Sequence, residues 1–126
     1  MNLNQVSLPT KDVDLSIEFY LRLGFRLIVN AAPRYARFEC QSSDSTFSLH
    51  HTDGQINQSA GVVVYFECPE LDSKVQELQS QGITFHSMPK DEPWLWREAR
   101  LQDPSKNEIC LYHAGVNRKN PPWRVK

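Results

Sequence analysis

One eight-residue segment, Pro93–Arg100, brings together side chains that can bind a small molecule. It reads Pro-Trp-Leu-Trp-Arg-Glu-Ala-Arg, so it contains two tryptophans and two arginines. A guanidinium can hold a carboxylate or a phosphate through paired hydrogen bonds, and an indole ring can stack on a planar ligand. Trp96 and Arg100 are an even number of residues apart, so on a strand both point to one face. The segment therefore predicts ligand contacts from Trp96 and Arg100.

The same segment also has a purely structural interpretation. In it, Trp94 and Trp96 fill the core or a subunit contact, and Arg97 pairs with Glu98 or with another acid at the surface. The sequence leaves both interpretations open for Trp96, and it favours ligand contact for Arg100.

His50 and Glu67 have side chains that can transfer protons or bind a metal ion. Both lie in alternating, strand-like segments. His50 is a candidate acid, base or metal ligand, and otherwise a polar residue that is hydrogen-bonded at the rim of a site. We expect burial beside Tyr65 to raise the pKa of Glu67, which would let its carboxyl move protons near neutral pH. The alternative for Glu67 is an ion pair with an arginine and no chemical role.

Composition and charge exclude several classes of function. The chain has 126 residues and a formal net charge of -1, with basic and acidic residues interspersed. No basic face is indicated, so we expect no nucleic-acid partner. Residues 1–12 lack the apolar region of a signal peptide, and no apolar run approaches the roughly 20 residues of a membrane span. We therefore expect one cytoplasmic domain without a membrane partner.

The three cysteines are Cys40, Cys68 and Cys110. Their number is odd and no two are spaced as Cys-X-X-Cys, which argues against a disulfide framework or a structural zinc site. Each lies in or beside an apolar, β-prone stretch. We interpret them as reduced thiols that act as small core residues.

The elements that position these side chains form an internal repeat. A constant shift of 58 positions aligns the two halves of the chain. The aligned residues are Val6 with Val64, Leu8 with Phe66, Asp14 with Asp72, Ile17 with Val75, Tyr20 with Leu78 and Gly24 with Gly82. Each half reads as an alternating strand and then an amphipathic helix, for which Asp14 and Asp72 are predicted N-caps. Gly24 and Gly82 are predicted left-handed C-caps, and coincidence between two ordinary βα units is the alternative.

Three strands are predicted after each helix. They are Arg26–Val29, Tyr35–Cys40, Thr46–His50, Thr84–Ser87, Trp96–Gln102 and Glu108–Tyr112. The predicted fold class is α+β, with two βαβββ repeats. The predicted organisation is a first module at 3–51, a linker at 52–61, a second module at 62–113 and an extended tail at 114–126. We expect Trp123 of this tail to pack on the body of the chain or across a dimer.

This order of elements, together with four local motifs, resembles the vicinal oxygen chelate superfamily over residues 3 to 113. That superfamily includes glyoxalase I, the bleomycin-resistance proteins and the extradiol dioxygenases. The matching residues are Asn4–Pro9 before Asp12, Ser16–Tyr20 with Leu23–Phe25, Tyr65–Glu67 before Leu71-Asp72, and Asp103-Pro104 with Asn107. The segments PWLWREAR, LYHAG and PPWR resemble a subgroup without an assigned reaction. The resemblance is specific for the fold and weak for activity, because this fold hosts many functions.

The resemblance implies curved, cup-like mixed sheets with the helices on the outer face and a ligand site in the cup between the two modules. Strand alternation then separates two sets of residues. Those expected to face the helices are Val6, Leu8, Phe47, Leu49, Val64, Phe66, Ile109 and Leu111. Those expected to face the cup are Gln5, Ser7, Ser48, His50, Val63, Tyr65, Glu67, Cys110 and Tyr112. The predicted ligand-binding residues are Gln5, Ser7, Ser48, Tyr65, Trp96, Arg100, Cys110 and Tyr112, with His50 and Glu67 as catalytic candidates.

The positions that supply the metal ligands in this family are Gln5, Ser48, Val63 and Cys110. Val63 cannot ligate, a serine is a poor ligand for a divalent ion, and one thiolate with one amide makes a weak site. We therefore predict that the family metal site is lost and that the protein binds a small anionic or aromatic molecule without a cofactor. The alternative is a metal-dependent lyase or dioxygenase whose divalent ion is held at a displaced site.

The displaced site of that alternative would use Gln5, His50 and Glu67. Analogy with the family also implies a homodimer. The sequence leaves open whether the two modules pair within one chain or across two chains.

Overall fold

The computed structural model describes residues 1–56 and 61–125. In the first half of the chain the elements are β1 (Gln5–Thr10), α1 (Val13–Leu23), β2 (Arg26–Ala31), β3 (Tyr35–Glu39) and β4 (Thr46–His51). In the second half they are β5 (Val63–Glu67), α2 (Leu71–Ser80), β6 (Ser87–Asp91), β7 (Arg97–Gln102) and β8 (Glu108–His113), followed by a short 3-10 helix, Gly115–Arg118. Residues 57–60 of the predicted linker lie outside the described residues. No helix of the described ranges is long and apolar enough to cross a membrane.

Each half forms one four-stranded mixed sheet. The strand order is β1-β4-β3-β2 in one sheet and β5-β8-β7-β6 in the other. The first strand of each half pairs in parallel with the last, and the other pairs are antiparallel. The predicted α+β class with two βαβββ repeats is therefore confirmed.

The chain divides into two compact units that do not coincide with its two halves. The first unit contains Met1–Gly61 and Asp103–Asn107, and the second contains Val62–Gln102 and Glu108–Lys126. The turn between β7 and β8 thus belongs to the first unit. Within that unit the Asn107 side chain donates to the Pro9 carbonyl at 2.9 Å, and the Ser105 hydroxyl lies 2.9 Å from that of Thr10.

The two helices end in the same hydrogen-bonded motif. Gly24 and Gly82 both adopt left-handed backbone conformations, with φ of 101° and 89°. The bonds run from Gly24 N–H to Leu21, from Phe25 N–H to Tyr20, from Gly82 N–H to Gln79 and from Ile83 N–H to Leu78. This pattern is a Schellman motif, which satisfies carbonyls that the end of a helix leaves free. The predicted left-handed glycines are confirmed at both helix ends.

The predicted N-caps are wrong, because both helices begin earlier than expected. The cap of α1 is Asp12, whose carboxylate accepts the Leu15 amide proton at 3.0 Å. The cap of α2 is Glu70, which makes no side-chain cap bond. Asp14 and Asp72 lie in the first turns of the two helices. A carboxylate there still interacts favourably with the positive end of the helix dipole.

The predicted strand Thr84–Ser87 is also wrong, because β6 begins where that prediction ends. The residues just before the predicted strand form the end of α2, where Gly82 and Ile83 donate to carbonyls of the helix and Ile83 is buried. β6 is the edge strand of its sheet, pairs with β7 and has an irregular register between Ser87 and Lys90. Pro89 lies inside this irregular segment. An edge strand with a bulge tolerates proline, because no ladder hydrogen bond is then lost. The other strands start or end within two residues of their predicted bounds.

The helix-facing side of each sheet forms a core. In the first unit the stacked rings of Phe38 and Phe47, with centroids 5.0 Å apart, pack against Tyr20 of α1. Most of the residues predicted for this side are buried, namely Leu8, Phe47, Leu49, Ile109 and Leu111. Val6 is 37% exposed, contrary to the prediction. It lies near the start of β1, which is an edge strand of its sheet. Val64 and Phe66 are half-buried.

The tail after β8 is mostly exposed. Trp123 is 57% exposed, so it does not pack closely on the rest of the chain. The other expectation for Trp123, packing across a dimer, stays a prediction. The ligand cup between the two modules also stays a prediction.

Candidate functional site

The face of each sheet opposite its helix carries most of the predicted site residues. We call it the distal face of its unit. By strand register, the distal face of the second unit contains Tyr65, Glu67, Glu98, Arg100, Cys110 and Tyr112. Trp96, which directly precedes β7, stacks on Tyr112 at this face. The distal face of the first unit contains Gln5, Ser7, Tyr35, Arg37, Thr46, Ser48 and His50.

Three aromatic rings are assembled on the distal face of the second unit. Trp96 stacks on Tyr112, with centroids 4.6 Å apart and an interplanar angle of 17°. Tyr65 meets both rings edge-on, at 5.9 Å from Trp96 and 5.6 Å from Tyr112. Tyr112 is buried and Trp96 is half-buried, whereas Tyr65 is 42% exposed. The rings form a platform with an exposed edge, on which a planar molecule can pack.

Arg100 borders this aromatic platform. Its Nη2 donates to the Tyr65 hydroxyl and to Glu98 Oε1, both at 3.3 Å, and its guanidinium carbon lies 5.7 Å from the Tyr65 ring centroid. Within the described part of the chain, Nη1 and Nε of Arg100 have no hydrogen-bond acceptor. The predicted placement of Trp96 and Arg100 on one face agrees with the structure.

Glu98 is a site residue that the sequence reasoning missed. Its side chain is 5% exposed, accepts a 2.6 Å hydrogen bond from the Trp94 indole and forms an ion pair with Arg100. Arg97 does not pair with Glu98, and the alternative, a pair with another acid at the surface, is found. Arg97 instead pairs with Asp72 and Asp91, because its odd position turns it to the helix side. The even spacing of Trp96, Glu98 and Arg100 was a readable signal for this cluster.

Cys110 pairs with Arg100 in the strand register and is completely buried. Burial, followed by the charge of Glu98, raises the pKa of the Cys110 thiol to about 12. The thiol is therefore protonated near neutral pH. Since a metal ion needs the thiolate, this environment disfavours Cys110 as a ligand.

Glu67 does not have the environment that was expected of it. Desolvation raises the pKa of Glu67, but the backbone N–H donors of Ala114 and Gly115 and the charges of His113 and Arg118 outweigh it, so the net shift is downward. Oε2 accepts those two N–H bonds at 2.8 and 2.9 Å, at the start of the 3-10 helix. The predicted raised pKa is wrong, because the side chain is partly exposed and its charged form is hydrogen-bonded. The alternative, a nearby arginine, is found at 3.8 Å in Arg118.

The distal face of the first unit is polar. Ser7 Oγ lies 2.7 Å from Nδ1 of the exposed His50, and Gln5 Oε1 accepts a 2.7 Å hydrogen bond from Thr46. Gln5 pairs with Thr46 in the register, and His50 lies four residues further along β4. At the usual strand rise, their backbones are about 13 Å apart. The structure therefore does not bring Gln5 and His50 together.

Tyr35 and Arg37 of β3 also lie on this face, and the sequence analysis did not identify them as site residues. Arg37 Nε donates to the Tyr35 hydroxyl at 2.9 Å. Arg37 pairs with Ser48 in the register, and Ser48 is 1% exposed with no hydrogen-bond partner for its hydroxyl within the described residues. The alternation of polar and apolar residues along Tyr35–Glu39 could have indicated that Tyr35 and Arg37 share one face of the sheet. Without the strand register it could not indicate which neighbours these side chains meet.

The donor set at the four family metal positions does not fit a divalent ion. Val63 carries no donor atom, the buried Ser48 hydroxyl is a poor ligand for a divalent ion, and burial raises the pKa of the Cys110 thiol to about 12, which disfavours the thiolate. Across residues 1–56 and 61–125, no group of three or more His, Cys, Asp or Glu side chains could hold a metal ion.

Comparisons with known proteins agree with this fold. The family model described as the Glyoxalase/Bleomycin resistance protein/Dioxygenase superfamily matches residues 2–111. No curated protein sequence gives a significant match. A glyoxalase/bleomycin resistance protein/dioxygenase from Nocardioides is 24% identical with a TM-score of 0.75, over 100% of this chain and 90% of that one.

Two further solved structures share the fold at lower identity. A bleomycin-binding protein complexed with bleomycin is 21% identical with a TM-score of 0.73, over 90% of this chain and 98% of that one. A lactoylglutathione lyase from Agrobacterium tumefaciens is 13% identical with a TM-score of 0.75, over 91% and 95%. These likenesses show a common fold, and the family match shows membership: the chain belongs to the Glyoxalase/Bleomycin resistance protein/Dioxygenase superfamily.

Proposed function

We propose that the protein binds a small planar molecule that carries an anionic group, on the distal face of the second unit and without a metal ion. The observation that carries this proposal is the position of Arg100 at the edge of the aromatic platform formed by Tyr65, Trp96 and Tyr112. The platform supplies apolar contact area, and the guanidinium supplies a charge-assisted hydrogen bond.

The platform is held in place before any ligand arrives. Glu98 fixes Arg100 on one side and the Trp94 indole on the other. A preorganised site loses less conformational entropy on binding than a mobile one. The partial neutralisation of Arg100 by Glu98 weakens its attraction for a free anion. It therefore favours a ligand whose aromatic part contributes much of the affinity.

The bleomycin-binding protein of the same fold supports a binding role. Its structure contains bleomycin, and a second relative of similar fold is a bleomycin resistance determinant encoded on the transposon Tn5.

The metal-dependent lyase or dioxygenase with Gln5, His50 and Glu67 is not favoured by the contacts of these residues. Gln5 and His50 lie about four strand residues apart, or roughly 13 Å. One Glu67 oxygen is occupied by the Ala114 and Gly115 amides. The poor donor set at the family positions also argues against a bound divalent ion.

Calorimetry with small aromatic carboxylates such as benzoate and indole-3-carboxylate tests the proposal. Arg100→Gln is expected to weaken binding by about 1.5–3 kcal/mol, the usual cost of losing a charge-assisted hydrogen bond. Arg97→Gln is the matched control, because it removes an equal charge from the same strand but from the helix side. Equal losses in both variants, or no binding by the wild type, would contradict the proposed site.

Elemental analysis of protein purified without added metal tests the metal-free part of the proposal. Removing metal ions with a chelator should leave carboxylate binding unchanged. Stoichiometric metal whose affinity falls in His50→Ala would overturn this part and support the displaced site.

We also propose that the protein is a homodimer, as family analogy implies. The exposed Trp123 and Val125 of the tail, at 57% and 90% exposure, are consistent with a contact to a second chain. Light scattering at micromolar concentration checks the mass, and a monomer would contradict the proposal.

A further inference from the structure

One arginine of the first unit is held in place without an acidic partner. Arg37 is half-buried, its Nε donates to the Tyr35 hydroxyl at 2.9 Å, and its guanidinium carbon lies 5.5 Å from the Tyr35 ring centroid. Among residues 1–56 and 61–125, no carboxylate forms an ion pair with Arg37 and no acceptor meets its Nη1 or Nη2. The two terminal nitrogens can therefore donate a pair of hydrogen bonds to the oxygen atoms of a bound anion.

The corresponding arginine of the second unit differs in this respect. Arg37 pairs with Ser48 in the strand register, as Arg100 pairs with Cys110. The residue two positions before Arg100 is Glu98, which forms an ion pair with it, whereas the residue two positions before Arg37 is Tyr35. The same place in the repeated topology thus carries a neutralised cation in one unit and an uncompensated cation in the other.

Ser48 adds a second and independent indication of a ligand. Its side chain lies on the distal face, because its neighbours Phe47 and Leu49 are buried on the helix side. Ser48 is 1% exposed, and its hydroxyl has no hydrogen-bond partner in the described residues. A buried hydroxyl without a partner is unfavourable in a folded protein, unless a bound group completes it.

The Tyr35 phenol lies close to both residues. Proximity of the Ser48 hydroxyl, followed by Arg37 and Gln5, lowers the pKa of Tyr35 against a smaller opposing effect of desolvation. The Ser48 hydroxyl is thus close enough to the phenol to lower its pKa, although its oxygen forms no hydrogen bond within the described residues. Because Tyr35 Oη already accepts the Arg37 Nε proton, its own proton points elsewhere.

We propose that Arg37, Tyr35 and Ser48 form a binding site for a small oxyanion, either a carboxylate or a phosphate group, on the distal face of the first unit. Arg37 supplies the charge and two N–H donors, and the two hydroxyls supply further donors to the anion's oxygens. This site does not rest on the proposed function of the second unit, since the two share no residue.

Nuclear magnetic resonance of the full chain, titrated separately with sodium acetate and sodium phosphate, tests this site. The Nε–H signal of Arg37 should shift in a saturable way with at least one probe, and the tighter probe identifies the oxyanion class. Arg37→Gln is expected to weaken that binding about tenfold through loss of the charged fork. Arg26→Gln is the matched control, because Arg26 lies in the same unit and is paired with Glu39.

Ser48→Ala gives a readout that a purely structural role would not produce. Removing an unpartnered buried hydroxyl should raise the melting temperature of the anion-free protein, and it should also lower the affinity for the anion several-fold. The absence of a saturable shift with both probes, or an equal loss in Arg37→Gln and Arg26→Gln, would overturn the site. Arg100→Gln should leave acetate and phosphate binding at Arg37 intact, so failure here is distinguishable from failure of the second unit's site.

Discussion

The Tyr20 hydroxyl donates a 2.7 Å hydrogen bond to the Asp103 carboxylate, across 83 residues of sequence and with both side chains buried. Asp103 also accepts the backbone N–H groups of Ser105 and Asn107, each at 2.9 Å. Burial, followed by the charge and the hydrogen bond of Asp103, raises the pKa of Tyr20 well above its usual value. The folded protein therefore stabilises the neutral form of the Tyr20 phenol relative to the phenolate.

This pair predicts a loss of stability at alkaline pH. Because the pKa of Tyr20 is raised on folding, its contribution is fully present below the unfolded pKa of about 10 and is lost as pH rises above it. Tyr20→Phe should lower the free energy of unfolding at pH 7 by about 1–3 kcal/mol and reduce its alkaline decline. Urea unfolding from pH 7 to 10.5 measures both. Tyr65→Phe, at a half-exposed tyrosine, is the control, and an unchanged alkaline slope in Tyr20→Phe would contradict the prediction.

A second prediction concerns the carboxylate of Glu67. The pKa of Glu67 is lowered on folding, so its stabilising effect is present above the unfolded pKa of about 4.3 and is lost as pH falls through the folded value. Glu67→Ala should speed hydrogen exchange at the Ala114 and Gly115 amides and cost about 0.5–1 kcal/mol, as for loss of a helix cap. Glu67→Gln, which keeps an acceptor, should cost less. Unchanged exchange at both amides in Glu67→Ala would show that the cap is not formed.

A third prediction isolates backbone conformation at the end of α2. Gly82 has a φ of 89°, and nothing lies within 4 Å of an added Cβ, so Gly82→Ala tests conformational strain without a clash. We expect it to lower the free energy of unfolding by about 1 kcal/mol. Gly54→Ala is the control, since no positive φ is found there and the added methyl meets only Thr52 at 3.5 Å. Equal effects of the two substitutions in thermal unfolding would contradict the assigned left-handed cap.

A fourth prediction concerns the three free thiols. Cys40 and Cys68 are half-buried with a raised pKa from desolvation, whereas Cys110 is fully buried with a pKa of about 12. A thiol reagent at pH 8 should therefore modify Cys40 and Cys68 before Cys110, because the thiolate is the reactive form. Peptide mass spectrometry after timed labelling measures the order. Labelling of Cys110 as fast as Cys40 would contradict its assigned burial.

Much of the fold could be predicted from local patterns. The alternation of apolar residues, the recurring glycines and the offset of the two halves are all readable along the chain, and the structure confirms both βαβββ repeats. The predictions of the N-cap residues were wrong because each helix start has two nearby acidic residues, Asp12 and Asp14 or Glu70 and Asp72, and the sequence does not show which one caps the helix. The predicted strand Thr84–Ser87 was wrong because the position of the edge strand β6, which contains Pro89, depends on its tertiary pairing with β7.

The candidate site was less predictable for a related reason. Trp96 and Arg100 could be placed on one face, because they are an even number of residues apart in the predicted strand Trp96–Gln102. The even spacing of Glu98 and Arg100 is readable in the same way. The lack of an ion pair at Arg37 among the described residues is not readable, because Glu39 pairs instead with Arg26 of the neighbouring strand. Glu67 was misjudged because the amides that bind it come from a segment 47 residues later in the chain.

The assignment of the Asp103–Asn107 turn to the first unit bears on how the protein is made. During synthesis, the N-terminal strands and helix emerge from the ribosome long before Asp103 does. Until then, the Tyr20 hydroxyl lacks the carboxylate that it binds in the finished protein. The first unit therefore cannot complete its native hydrogen bonds until Asp103–Asn107 has been synthesised.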